Sequence, residues 1–381
     1  MTATQFLGAF NDNLFKQLML LLAVPIVTAA ATSTEKDEQG FATIIFSLPF
    51  VLFSGLAGYL SDRYSKRTVI VCCKFAEIII MLLGFIGFLM YGTTGYGGLL
   101  CVLFLMGVHS AFFGPGKYGI LPELFRGSDL PRANGIILMT TFLAIIFGTA
   151  TAGVLGDLLV SKTADGATDA TRLWIGSLAC IGVATIGTCT SLLVRWTAPA
   201  VPDLPFQPSS LAIPPDTRAM LWRDRPLLLA LLASCMFWLV SGLAMQVVNY
   251  VGLNELDLDP TKAKTYTSAL NAIVGIGIAI GAVVAGRMCR GKANFRIVRV
   301  GAGGLVLCLL VLGLYTAGGK QLIGFYGSLP VLILLGVSAG CFAIPVQVFI
   351  QARPPEGQKG RMIAVMNQAN FVAIMLSGVL Y

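Results

Sequence analysis

An acid, a base and two amides interrupt the first apolar stretch of this chain: Asn11, Asp12, Asn13 and Lys16 lie among Phe6, Phe10, Leu14 and Phe15. A charge inside hydrocarbon is costly and marks by default a pathway or a paired functional site. Asp12 and Lys16 stand at i and i+4, so a helix sets them on one face with the acid first, the better order for pairing. Held this way they can receive a zwitterion, the carboxylate meeting an ammonium and the lysine a phosphate. Two structural readings stay open beside that one: an Asp12–Lys16 ion pair, or a pair between Lys16 and Glu77. Glu77, Gln246 and Asn249 are further candidates for the same binding site, although amides in spanning helices more often bond a neighbouring helix. His109, the only histidine, is either a proton relay or a satisfied core residue.

A second constellation is the run Gly58-Tyr-Leu-Ser-Asp62-Arg63-Tyr-Ser-Lys66-Arg67. Asp62 ends an apolar segment, where its carboxylate can meet the positive N-terminal end of another helix. Arg63, Lys66 and Arg67 can pair with loop carboxylates, and the simpler reading of all three is a topogenic basic loop.

The elements that position these residues are apolar segments of membrane-spanning length. The 381 residues are 56% hydrophobic and 12% charged, with a mean hydropathy of +0.82. Soluble domains carry about 25% charged residues. Lipid offers backbone groups no hydrogen bonds, so spanning segments are helices or closed barrels, and runs of about 20 apolar residues suit helices. Eleven are expected, at 5–28, 41–61, 68–91, 97–115, 133–159, 172–195, 227–252, 265–286, 296–316, 327–350 and 362–381. The stretch 196–226, rich in proline and then in arginine, is expected to be a cytoplasmic linker between a bundle at 1–195 and a second at 227–381. The last segment reaches Tyr381, so a twelfth helix is expected to be missing and the chain truncated within or after helix 11.

Eighteen of the 26 basic residues follow the even-numbered segments, from Arg63 to Arg361. The positive-inside bias then makes those loops, and the N-terminus, cytoplasmic. This placement accounts for the net charge of +8 without nucleic acid. An internal echo supports two halves: Ala285-Gly286-Arg287-Met-Cys-Arg290-Gly-Lys292 follows the Gly58–Arg67 run, and Phe342-Ala-Ile-Pro345 follows Phe113-Gly-Pro115 at a similar offset. Parallel repeats of this kind place substrate at the midplane between them. Glycines on the fifth segment (Gly148, Gly153, Gly156) and the eighth (Gly275, Gly277, Gly281) would let those helices pack closely as a rocking joint. Asp157 reads as an ordinary charge at the outer end of the fifth segment.

The Gly58–Arg67 run resembles the G-x-L-x-D-R-x-x-[KR]-[KR] loop of the major facilitator superfamily, with Ser65 where that family commonly has glycine. The resemblance implies an all-α integral membrane protein of two pseudo-symmetric six-helix bundles, and a gating contact between Asp62 and the start of helix 11 near Arg361. The strings Gln5-Phe-Leu-Gly-Ala-Phe-Asn-Asp-Asn13 and Phe113-Gly-Pro-Gly-Lys117-Tyr-Gly-Ile-Leu-Pro122-Glu123-Leu, with Ala133-Asn134-Gly135, are similar to the lysophospholipid transporter family. That implies inward movement of lysophospholipid across a bacterial inner membrane. It also implies a fused or neighbouring acyltransferase and acyl–carrier-protein synthetase as partners.

Other classes fit less well. Acyl transfer by an H-x4-D pair is absent from this chain, because Gly114 holds the acidic position after His109; such chemistry would need a domain beyond it. One histidine gives no histidine-based metal cluster, no phosphate-binding Gly-Lys-Ser/Thr loop appears, and neither cofactor nor metal is expected. The nine cysteines lack CxxC spacing and read as packing residues. A proton-coupled exporter of drugs or metabolites remains the alternative within transport. The fifth segment, however, has no proline in Gly148-Thr-Ala-Thr-Ala-Gly153, where antiporters of this superfamily carry one.

Overall fold

The computed structural model describes the chain except residues 26–35, 127–129, 163–167, 206–214, 257, 260, 290–293, 317–320 and 355–358. The first six long helices are α1 (Thr2–Ala23), α2 (Gln39–Arg63), α3 (Lys66–Leu89), α4 (Tyr91–Gly119), α6 (Leu130–Leu159) and α7 (Trp174–Leu192), with a single turn, α5 (Leu121–Leu124), between α4 and α6. A short helix, α8 (Pro215–Arg223), precedes the other five: α9 (Arg225–Asn254), α10 (Ala263–Cys289), α11 (Phe295–Leu312), α12 (Gly324–Ala352) and α13 (Lys359–Leu380). The only strands among the described residues are Ser161–Lys162 and Thr168–Asp169, paired antiparallel.

Ten of these helices are long and apolar enough to cross a membrane, and α1 is not among them. Its 22 residues would span about 33 Å, so length is not the obstacle. Gln5, Asn11, Asp12, Asn13, Lys16 and Gln17 lower its hydropathy, and Gln5, Asn11 and Gln17 are buried against neighbouring helices. Two expected boundaries move. The fourth segment, expected at 97–115, is longer because α4 begins at Tyr91 and is broken at Gly95, whose φ of 58° only glycine adopts without strain. Lys66 and Arg67 lie in the first turn of α3 rather than in a loop.

Helix packing repeats along the chain. α4 packs on α2 and α3, and α12 packs on α10 and α11 in the same pattern. The two sets meet where α6 lies against α10 and α2 against α13. The glycines divide between these tasks. Gly153 faces Ser268 of α10, and Gly275 faces Ile146 of α6. Gly148 instead faces α1, while Gly277 and Gly281 face α12, so the expected rocking joint uses only part of the glycine stripe.

Contacts across the seam gather at one end. A Cβ on Gly40, at the start of α2, would collide with the Gly378 carbonyl near the end of α13, and one on Gly378 with the Gly40 carbonyl. Further along, Phe50 and Phe371 stack with centroids 3.6 Å apart, and Gln368 donates to the Val51 carbonyl at 3.0 Å. At the opposite ends of α2 and α10, a Cβ on Gly58 or Gly286 would meet nothing within 4 Å. The Gly40 end is closed, and the close approach that Gly58 permits is unused. Gly40→Val is therefore expected to hold the closed end apart. Cysteines placed near Gln39 should gain reactivity toward a membrane-impermeant maleimide, and turnover should fall at least tenfold.

Candidate functional site

Asp12 and Glu77 are the carboxylates of a buried cluster built by α1, α3, α4 and α7. Lys74 and Glu77, one turn apart on α3, form an ion pair at 2.5 Å whose side chains are 1% and 0% exposed. Asn11 donates to Glu77 Oε1 at 3.0 Å and also to the Cys180 carbonyl of α7 at 3.1 Å. The Lys74 ammonium lies 5.3 Å from the centre of the Phe113 ring. Gly8 makes room for it, since a Cβ there would collide with Nζ. On α4, His109 Nε2 stands 3.5 Å from Glu77 Oε2, and Nδ1 stands 4.0 Å from Asp12 Oδ1. Ser110 donates to Asp12 Oδ2 at 2.6 Å. Asp12 is 20% exposed whereas His109 and Glu77 are sealed, so Asp12 is the face this cluster presents.

The structure corrects both ion-pair readings of Lys16. Glu77 is taken by Lys74, and among the described residues Lys16 pairs with no carboxylate, Asp12 included. Its ammonium sits over the Phe46 ring, 5.0 Å from the centroid, a contact worth about 0.5–2 kcal/mol. Lys16 and Asp12 are both partly exposed and one turn apart. Asn13, in contrast, turns its amide back onto the Ala9 carbonyl at 2.7 Å, so its nitrogen is committed within α1.

Gln246 and Asn249 lie elsewhere, in a polar layer at the closed end. Gln17 of α1 donates to Asn249 Oδ1 at 2.9 Å, Asn249 donates to Gln39 Oε1 at 2.9 Å, and Asn271 donates to Asn249 Oδ1 at 2.8 Å. Gln39 also donates to Tyr381 and Asp37, and Gln246 donates to the Gly242 carbonyl and Ser377. Asn249 and Gln39 are fully buried. Sequence reading missed Gln17 and Gln39, whose partners are some 200 residues away. It also undervalued Asp157, which accepts from the backbone N–H groups of Lys264 (3.0 Å) and Thr265 (2.6 Å). A carboxylate on those first amides stabilises the start of α10 and fastens α6 to it across the seam.

The Gly58–Arg67 residues fall at the other end. Arg63 donates to Tyr59 and to the Leu204 carbonyl, and the Asp62 carbonyl accepts from Val201 N–H at 3.0 Å. Lys66 is bound to Glu123, and Arg67 donates to the Leu192 carbonyl at 2.8 Å. These three basic side chains thus brace α2 and α3 against α5, α7 and residue 204. In the second half, Arg353 after α12 donates to Asp224 Oδ2 at 2.8 Å, and that hydrogen bond holds the Asp224 carboxyl below its usual range. Arg361 lies in α13, and its side chain is outside the described residues. None of the described residues groups three metal-binding side chains.

The family model described as "Major Facilitator Superfamily" matches residues 2–378. The "Lysophospholipid transporter LplT" of Enterobacter sp. (strain 638) is 27% identical over 392 residues, covering 100% of this chain and 86% of that protein. Its counterpart in Pectobacterium carotovorum subsp. carotovorum (strain PC1) is 28% identical over 388 residues, covering 99% of this chain and 84% of that protein. Among solved structures, a mutant of the nucleoside transporter NupG superposes with a TM-score of 0.67 at 15% identity, covering 99% of this chain and 89% of that one. The xylose transporter XylE from E. coli, in an inward-open conformation, gives 0.66 at 14% identity, covering 100% and 88%. These two share the fold.

Proposed function

The chain belongs to the major facilitator superfamily, and we propose that it carries lysophospholipids, lysophosphatidylethanolamine among them, inward across a bacterial inner membrane by alternating access. The observation that carries this reading is a pair of opposite charges, Asp12 and Lys16, partly exposed, one turn apart and not spent on each other. A zwitterionic headgroup supplies the two missing partners, ammonium for Asp12 and phosphate for Lys16. Phe6 and Phe10, partly exposed on the same helix, offer apolar surface to its single acyl chain. Opposite charges at this depth lower the cost of taking a charged headgroup through hydrocarbon. The full-length similarity to lysophospholipid transporters supports the same substrate class.

On this reading residues 1–195 and 227–381 are the two moving halves, and 196–226 is the linker between them. The N-terminus and the basic loops face the cytoplasm. The Gly40 end, fastened by Gln39, Asn249 and Asp157, is then the outer gate in its closed state. Gln246 and Asn249 act in that gate rather than on the headgroup. An acyltransferase and an acyl–carrier-protein synthetase are the partners that would consume the delivered lipid; the chain itself is a carrier and not an enzyme.

The test is flux of labelled lysophosphatidylethanolamine into proteoliposomes holding the purified chain, with and without a pH gradient. Saturable uptake above protein-free vesicles is expected, and its absence from folded, oriented protein would overturn the assignment. At the inner gate, Asp62 caps the start of α13 whenever the cytoplasmic side closes. Asp62→Asn removes a contact worth about 0.3–1 kcal/mol, up to roughly 2 when partly buried, and shifts the population toward inward-open forms. Cysteines lining the cytoplasmic cavity should label several-fold faster, and unchanged labelling would count against the latch.

A further inference from the structure

His109 is held where both ring nitrogens face only acceptors. Nε2 looks onto the Glu77 carboxylate at 3.5 Å. Nδ1 looks onto Asp12 Oδ1 at 4.0 Å and Ser110 Oγ at 3.4 Å. The Ser110 hydroxyl proton is already given to Asp12 Oδ2, so it cannot be given to Nδ1 as well. A neutral imidazole presents one donor and one acceptor, and only the imidazolium presents two donors. His109 Nε2 and Asp12 Oδ1 are buried without a hydrogen-bond partner, which places an unmet donor and an unmet acceptor in the same cluster.

The charges lead to the same place. Lys74 neutralises Glu77 at 2.5 Å, and Lys16, turned onto Phe46, does not neutralise Asp12. No other ionisable group among the described residues is poised to do so. Between Gln39 and Tyr59, α2 carries no ionisable side chain. Cys73 of α3 and Cys180 of α7 contribute thiols, and the next charge along α4, Lys117, is two turns away. Glu123 of α5 is held by Lys66. Asp12 is therefore balanced either by a proton held within the cluster, on His109 or on the carboxylate itself, or by a cation arriving from outside the protein. The two acceptors around the His109 ring point to the imidazole as the proton's seat.

We propose that His109 carries a proton in the empty carrier and releases it when a cationic headgroup occupies Asp12, so that each ammonium-bearing lipid taken up is exchanged for one proton. The proton leaves Nδ1 for water on the open side, and the site keeps its charge because one cation replaces another. Phosphate on Lys16 does not enter this exchange. A lipid with a phosphate and no ammonium consequently binds without displacing a proton. The proposal rests on the headgroup assignment above.

The experiment is calorimetric titration of the full chain in nanodiscs with lysophosphatidylethanolamine and with lysophosphatidylglycerol, near pH 6, in two buffers of different ionisation enthalpy. Roughly one proton should be released per lysophosphatidylethanolamine, and affinity should weaken about tenfold per pH unit on acidification, the slope of one linked proton. Lysophosphatidylglycerol should release none. His109→Gln should abolish both the release and the pH slope while binding at least as tightly as the parent protein at high pH. Binding of lysophosphatidylethanolamine without proton release would overturn the exchange and leave the transport reading standing. Equal release with both lipids would overturn the competition of cations. Release that persists in His109→Gln would move the proton to Asp12 and overturn the role of His109. The parent protein alone decides the proton count if that variant fails to fold, and failure of the parent to bind either lipid would sink both readings.

Discussion

Glu77→Gln is expected to destabilise the protein by about 3–5 kcal/mol, the usual cost of removing one partner from a sealed ion pair. The Lys74 ammonium would be left 1% exposed over the Phe113 ring, with no carboxylate in ion-pair contact. Lys74→Met should cost a similar amount, because Glu77 keeps only its Asn11 hydrogen bond and the His109 ring. The double variant should recover most of the loss, since replacing both partners of a buried pair by groups of similar volume is often close to neutral. Thermal unfolding of the detergent-solubilised single and double variants reads this directly. Additive losses, with no recovery in the double, would show that the pair contributes little as a pair.

Lys74 also shows where sequence reasoning reached and where it stopped. Asp12 and Lys16 announce themselves because charge in an apolar run is rare, and both lie partly exposed in the structure. The Lys74–Glu77 pair was equally visible, one turn apart in the third segment, yet Lys16 offers Glu77 an equally plausible partner in one dimension. Choosing between them needs the rotation of α1 against α3, which the close approach of Gly8 to Lys74 sets. The eleven long helices were legible, because hydropathy over about 20 residues follows the membrane thickness, whereas the short α5 and α8 were not. Nor was the polar layer at the closed end legible. Gln17, Gln39, Asn249 and Asn271 look like scattered amides in a string of letters, and their meaning comes from α1, α2, α9 and α10 meeting at one level. Asp157 looked ordinary for the same reason: a carboxylate at a helix end has no visible partner until the first turn of α10 is placed beside it.

Asp12→Asn and Lys16→Met should behave in the opposite way, cutting lysophosphatidylethanolamine uptake strongly with little loss of stability. Asn at position 12 still accepts the Ser110 hydroxyl, which now bonds Asp12 at 2.6 Å, so the fold keeps its contact while the carboxylate charge is gone. Met at position 16 keeps the apolar stem against Phe46 and removes an ammonium that no carboxylate pairs with among the described residues. On the proposed reading each change deletes one of two charges that meet the headgroup, and a charged hydrogen bond contributes about 1.5–3 kcal/mol. That corresponds to a loss of about tenfold to a hundredfold in uptake of lysophosphatidylethanolamine. The two variants should differ in what they still accept. Without Asp12 the site keeps its phosphate partner, so lysophosphatidylglycerol should be spared relative to lysophosphatidylethanolamine. Without Lys16 both lipids should suffer, because both carry the phosphate. Uptake of the two lipids by each variant, alongside thermal unfolding of the same preparations, tests the assignment. A Lys16→Met protein that unfolds several degrees early and is rescued by Asp12→Asn would show the two residues to be a structural pair. An Asp12→Asn, Lys16→Met double that transports at the parent rate would remove the headgroup from this site.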